Sequence, residues 1–383
     1  MISARIRKAI QEAMMVSFVG LALFLFLVPK SHSALATDSR RQVDAVCVTR
    51  NRCYLAAATD SQAPGSIHTL HFPQILRNQS SFTWQFIGPS GIGVKQVVPA
   101  EGDSHAIFAV ADRSQYPGSA WIYKSSDGGV TWNPLTNGLT GHVERISINA
   151  NEPQLVLAGT VATTHGVSVS YNAGVTWLQT NSPANVRIVA SSPISSGLWI
   201  AGSYNPLIFG SAFMYRTLDS GTTWNRVTLT TTVVSDIIFD PNDSQHALAC
   251  DACGVLQSWD AGQTWLHSGL NRCDHLLVDL DDPAILFVAI ANEIFRTADN
   301  GLNWSPVLEL SGPIVSMVQQ PPGSSHLYTA DATTVMASAD GGDHWFEIPK
   351  SNGAELAIIQ DLAVDSTNTI YLATNTGIWA LRQ

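Results

Sequence analysis

Beyond residue 43 the apolar positions never settle into the spacing of a long amphipathic helix. They fall in short runs rich in β-branched and aromatic residues, separated by turn formers. Residues 235–266 show the unit. Asp236–Asp240 (DIIFD) reads as one strand, a Pro241-Asn242-Asp243 turn follows, and His246–Cys250 (HALAC) and Gly254–Ser258 (GVLQS) read as the next two. A fourth strand begins at Thr264-Trp265. Four short strands in a period of about 40 residues predict the blade of a β-propeller, a unit that buries its apolar faces only against its neighbours.

The junction between the third and fourth strands repeats closely. Ser125–Trp132 reads SSDGGVTW, Ser170–Trp177 SYNAGVTW, Thr217–Trp224 TLDSGTTW, Ser258–Trp265 SWDAGQTW, Thr297–Trp304 TADNGLNW and Ser338–Trp345 SADGGDHW. Each residue has a task in a tight hairpin. Asp127 accepts from backbone N–H groups just ahead of it, and Gly129 supplies a positive φ. Ser125 and Thr131 flank the turn as short hydroxyl partners, and Trp132 buries a large aromatic face against the neighbouring unit. Asp127, Asn172, Asp219, Asp260, Asp299 and Asp340 are therefore assigned structural roles, with Trp132, Trp177, Trp224, Trp265, Trp304 and Trp345. A catalytic centre is not normally built six times in one chain.

The pattern S/T-x-D-x-G-x-T-W resembles the Asp-box (BNR) repeat of sialidase-like propellers. That repeat also occurs in sortilin ectodomains, xyloglucan-active glycoside hydrolases and photosystem II assembly factors. The opening D-x-x-x-D-P followed by G-x-x-x-S/T-x-D is most similar to the last three. The resemblance covers roughly residues 43–383 and implies a single all-β propeller of four-stranded blades. It is specific for fold and silent on activity, since enzymes and non-enzymes share the motif. Counting strand patterns gives eight units, the last ending at Gly377–Leu381 without an outer strand. If residues 43–86 supply closing strands rather than a whole blade, the ring has seven, which also leaves no exposed edge.

Charged residues make up 13% of the 383 positions and the formal net charge is −10. No basic stripe follows residue 41, which excludes nucleic acid as the expected partner. The N-terminus reads differently: Arg5, Arg7 and Lys8 precede an apolar run from Ala13 to Val28, Pro29 breaks it, and Ala34-Leu35-Ala36 fits a cleavage site. This predicts an export signal over 1–36, a linker over 37–42 and the propeller over 43–383. The alternative is an N-terminal membrane anchor, the one contact with a membrane that the sequence suggests. Five cysteines fit an oxidising compartment. Cys47 and Cys53 flank a short turn and are placed to bridge two strands. For the rest, a Cys253–Cys273 bridge between blades and a Cys250–Cys253 turn disulfide are the competing arrangements. No cofactor or metal is predicted.

Strand topology puts the Asp hairpins on one face of the ring and the starts of the innermost strands on the other. The resemblance implies that function belongs to the second face. At the start of the innermost strand the aligned position is polar in every unit: Asp44, Gln96, Arg145, Arg187, Asp236, His275, Ser316 and Asp361. An innermost strand lining a water-filled channel produces that pattern with no ligand, whereas mixed charges around a concave mouth suit a polar one. The candidate ligand-binding residues are Arg145, Arg187, Asp236, His275 and Asp361. The longest insertions on this face, 111–120 and 202–212, add Tyr116, Tyr204 and Phe209 as stacking platforms. His142, His165 and His275 are the weak metal alternative. A sialidase would need a three-arginine clamp and a Tyr–Glu pair, and the sequence has no Arg-Ile-Pro motif. The expectation is an exported module binding a protein, peptide or glycan, with a glycoside hydrolase using Asp236 and Asp361 as the alternative.

Overall fold

The computed structural model describes residues 83–382, apart from 101–104, 113–120, 163, 205–211, 228–232 and 321–323, and the backbone of 45–49 and 52–55. The chain divides into two compact units, Met1–His71 and Phe72–Gln383. In the first, Ala45–Thr49 and Arg52–Leu55 form an antiparallel hairpin whose register sets Cys47 opposite Cys53. The predicted signal over 1–36 lies outside the described residues. Among the described residues no helix is long and apolar enough to cross a membrane.

The second unit is a β-propeller of seven four-stranded antiparallel blades. The innermost strands, in ring order, are Val94–Pro99, His142–Ile148, Val186–Ser191, Asp236–Phe239, His275–Val278, Ile314–Gln319 and Ile359–Val364. Each contacts the next, and the seventh contacts the first, so the ring is closed. The count of eight units is corrected to seven. Trp84–Gly88, assigned from sequence to a separate first unit, is the outer strand of the last blade. It pairs antiparallel with Gly377–Leu381, Trp84 opposite Leu381. The physical reason is edge closure: the last unit lacks its fourth strand and the N-terminal segment supplies one. Arg382 adds a further tie, its Nη2 donating to the Gly128 carbonyl in the first blade at 2.8 Å.

The second strand of each blade is buried on both faces, which explains why Ile107–Ala111, Ala247–Asp251 and Ile370–Thr374 read as continuous apolar runs rather than alternating ones. The core is divided among the gaps between blades. Between the third and fourth, for example, Ile188, Ile200 and Met214 meet Ile237, Phe239 and Leu256.

In the six Asp hairpins the buried element is the first hydroxyl. Ser125, Ser170, Thr217, Ser258, Thr297 and Ser338 are all buried. Each Oγ accepts the N–H of the glycine four residues on, at 2.7–3.1 Å, and donates to the first Oδ of the Asp or Asn. The carboxylate then accepts the N–H and hydroxyl of Thr131, Thr223 or Thr264. Where the threonine is missing, Asn303 Nδ2 or His344 Nδ1 bonds the same oxygen. Asn172 keeps the geometry without the charge. Gly129 adopts φ 94°, and a Cβ there would lie 2.7 Å from Ile87. Of the hairpin tryptophans, Trp177 and Trp265 are buried and the other four partly so.

These bonds hold the Asp127, Asp219 and Asp299 carboxyls down to about 2, the Thr131, Thr223 and Thr297 hydroxyls being the largest cause in each. A pKa lowered on folding means stability that is complete above the ordinary carboxylate value and lost as pH falls through the folded one. Melting temperature should therefore drop between about pH 4 and about pH 2. Asp361 is raised by burial and acts in the opposite sense, so the informative comparison is Asp219→Asn with the parent. The variant should show the shallower acid limb. Identical limbs would mean that the hairpin carboxylates do not carry it.

The described residues contain one disulfide, Cys250–Cys273, with Cα atoms 5.0 Å apart. It corrects both expected pairings, while Cys253 is free and exposed. The bridge joins adjacent blades as anticipated, but through the cysteine at the end of the second strand of the fourth blade. Cys250 and Cys273 are both buried in the gap between the fourth and fifth blades, whereas Cys253 sits on the exposed turn.

Candidate functional site

The polar ring lies at the mouth of the channel, on the face opposite the Asp hairpins, and most of its members bind backbone. Gln96 accepts the Ile146 N–H at 2.8 Å and donates to the Ile146 carbonyl at 3.1 Å. Asp236 accepts the N–H groups of Ile237 and Leu276 at 3.0 and 3.3 Å. Ser316 donates to the Leu362 carbonyl, and Asp361 accepts the Val97 N–H at 3.1 Å. Four positions thus tie innermost strands together across four blade junctions, a role that the polar pattern does not reveal. Asp44 lies outside the described residues.

A second regularity comes from register. The innermost strand carries a bulge at the mouth in five blades, at Lys95, Glu144, Arg187, Val315 and Gln360. A bulge sets two consecutive residues against one on the partner strand and re-aims a side chain. Arg187 is therefore not a member of the aligned ring: in the third blade Ile188 holds the position opposite Gly202, and Arg187 is the extra residue. Sequence reasoning missed Lys95 and Glu144 for the same reason, since alternation assigns them to the face away from the ring. Lys95 Nζ lies 3.1 Å from Glu144 Oε2, and His142 Nδ1 lies 3.0 Å from Glu144 Oε1. Burial alone would raise the Glu144 carboxyl. The His142 hydrogen bond and the Lys95 charge outweigh it and hold the group at about 2. Burial lowers Lys95, and its partner Glu144 opposes that.

Arg145, Asp236, His275 and Asp361 come from four blades yet share a field. Burial pushes Asp361 up against the opposing charge of Arg145. Burial pushes His275 down, with Asp236 opposing and Arg145 adding to the shift. Arg187 is exposed, and its guanidinium lies 5.0 Å from the centre of the Tyr204 ring, a cation–π contact. Arg272 pairs with Asp274 at 3.1 Å, so it does not complete a three-arginine clamp. Tyr116 and Phe209 lie outside the described residues. Among the described residues no three His, Cys, Asp or Glu side chains gather as a metal site. The hairpin end of the channel contrasts with the mouth. It holds a cavity of about 270 Å³ lined mainly by Leu277, Leu280, Met317, Val318, Ala363 and Val364.

The fold defines the class: a seven-bladed, all-β propeller with a polar channel mouth. No protein-family model matches the sequence, and no curated protein does. Solved structures do. The GH74 xyloglucanase of Xanthomonas campestris is 16% identical with a TM-score of 0.62, over 78% of this chain and 53% of that one. An ancestral GH74 enzyme is 15% identical with a TM-score of 0.63, over 79% and 46%. YCF48 bound to D1 peptide is 19% identical with a TM-score of 0.57, over 79% and 98%. The chain spans about half the length of the two GH74 enzymes. At these identities the likeness is one of fold.

Proposed function

We propose that the chain is an exported binding module whose channel mouth takes an anionic segment of a partner, an acidic peptide or a chain-terminal carboxylate. The observation that carries this reading is the balance of charge at the mouth. Glu144 is paired with Lys95 and hydrogen-bonded to His142, Asp274 is paired with Arg272, and Asp236 and Asp361 bind backbone N–H groups. Among the described residues Arg145 and Arg187 form no salt bridge, and Arg187 is presented on Tyr204 by a bulge. A guanidinium held against an aromatic face by a cation–π contact keeps N–H donors for a carboxylate. The D1 peptide bound to YCF48, on the same fold, supports a peptide as the partner class. Export rests on the signal-like N-terminus.

The test is titration with an oligo-aspartate peptide, its asparagine counterpart, and a neutral hexapeptide with a free or amidated C-terminus. Binding should require the carboxylate and weaken about tenfold or more in Arg187→Ala and Arg145→Ala. Arg187→Ala should leave the melting temperature unchanged. Equal affinity for charged and neutral peptides would overturn the reading. A glycan hydrolase at the same mouth is the second reading, favoured by the raised carboxyl of Asp361, which suits a general acid. Turnover of chromogenic glycosides that disappears in Asp361→Asn would establish it.

A further inference from the structure

On the hairpin face, the fourth blade departs from the repeat in a way that its own folding does not require. The second position of the Asp hairpin holds Ser126, Tyr171, Leu218, Ala298 or Ala339 in other blades, and here it holds Trp259. That indole is 55% exposed. Its inner face lies flat on the His246 imidazole, with ring centres 3.9 Å apart and planes 7° from parallel. His246 is 1% exposed and occupies the end of the turn between the first two strands. Ala106, Leu155, Leu198 and Ile285 fill that place in the first, second, third and fifth blades, His326 and Thr369 in the sixth and seventh, so the fourth blade is set apart by the indole stacked on its histidine. The His246 Nδ1 meets Asp240 Oδ2 at 2.9 Å, and Asp240 Oδ1 accepts the N–H groups of Asn242 and Asp243. The hairpin is pinned above this layer by Ala261 N–H donating to the Gln245 carbonyl at 2.8 Å.

The carboxylate fixes the imidazole, and the imidazole fixes the plane of the indole. An aromatic plane held rigid loses little freedom when a ligand lies against it. Asn242 and Gln245, in the turn that leads to His246, and Gln263, in the Trp259 hairpin, are exposed, and their side-chain amides make no hydrogen bonds among the described residues, so both donors and acceptors are free. From this geometry we infer a second binding site, centred on Trp259, for a pyranose ring of a neutral oligosaccharide. The C–H face of a pyranose packs on an aromatic face, and its equatorial hydroxyls take amide donors and acceptors at the rim. No carboxylate of the ligand is needed. The site lies on the face opposite the channel mouth, so it binds independently of Arg187.

The test uses the purified protein and three neutral hexaoses, cellohexaose, xylohexaose and maltohexaose, titrated calorimetrically to millimolar concentrations. At least one should bind, with affinity reduced about tenfold or more in Trp259→Ala and Trp259→Leu. It should be retained in Trp259→Phe, which keeps a flat ring. The leucine variant preserves apolar volume, so its unchanged melting temperature separates loss of the plane from loss of the fold. Arg187→Ala should bind the sugar like the parent. Failure of all three hexaoses to bind, or binding that survives both Trp259→Ala and Trp259→Leu, overturns the site. Loss of sugar in Arg187→Ala would assign it to the mouth and overturn the site as well.

Discussion

Trp84→Ala should lower stability by about 3–5 kcal/mol, the cost of emptying a fully buried aromatic site. Trp84 is 0% exposed and packs with Tyr328, Ile359, Ile370, Leu372 and Leu381, residues of the sixth and seventh blades. Its Nε1 donates to the Pro349 carbonyl at 3.1 Å, so truncation also leaves that acceptor without its partner. The position matters as much as the volume. Trp84 begins the strand that completes the seventh blade, and Ile87, near the end of that strand, lies in the core between the seventh and first blades. Loosening the strand uncovers the edge at Gly377–Leu381 and frees the ring where its two ends meet. Chemical denaturation of parent, Trp84→Phe and Trp84→Ala should give a graded loss, the phenylalanine keeping most of the packing and losing the indole N–H. A Trp84→Ala protein within about 1 kcal/mol of the parent would mean that this strand does not close the ring.

The double variant Cys250→Ala/Cys273→Ala should cost about 3 kcal/mol, the loop-closure entropy of a bridge between residues 23 apart. Both sulfurs are buried against Leu248, Val255, Leu276 and Val288, so their removal adds a packing loss. Reduction of the parent, with denaturation followed in excess reductant so that the thiols stay free, should reproduce most of the effect. In the untreated native protein a maleimide should label Cys253 and spare Cys250 and Cys273. Recovery of a Cys253–Cys273 or Cys250–Cys253 peptide under non-reducing conditions would overturn the assignment. If the double variant matches the parent in stability, neither the bridge nor the packing of its sulfurs contributes measurably.

Residues 235–266 were readable because a blade is a local object. Each strand is short, each turn has its own Pro, Asn, Asp or Gly, and burial between neighbouring blades writes short apolar runs directly into the chain. The Asp hairpin was readable for the same reason, since Ser258, Asp260, Gly262 and Thr264 bond one another within seven positions. The closing strand was not. Nothing local in WQFIG says whether it finishes the first unit or the last, because the partner that decides it lies about three hundred residues away at Gly377–Leu381. Arg187 failed in a related way: a bulge inserts a residue without changing the apolar pattern, so alignment by alternation placed it one position out.

The sequence by itself determined the repeat, the four-stranded blade, the hairpin chemistry and the two-faced ring, all of which arise from contacts within one period of the chain. Tertiary structure alone decided the number of blades, the choice of Cys250 over Cys253, and the pairing of Lys95 with Glu144 across two blades. It also decided that Asp236 and Asp361 bind backbone N–H groups of the next blade while Arg187 lies on Tyr204 at the mouth. Those outcomes depend on which distant segments meet and in what register. Local pattern carries neither, because a side chain's period of two along a strand is the same whatever strand lies beside it.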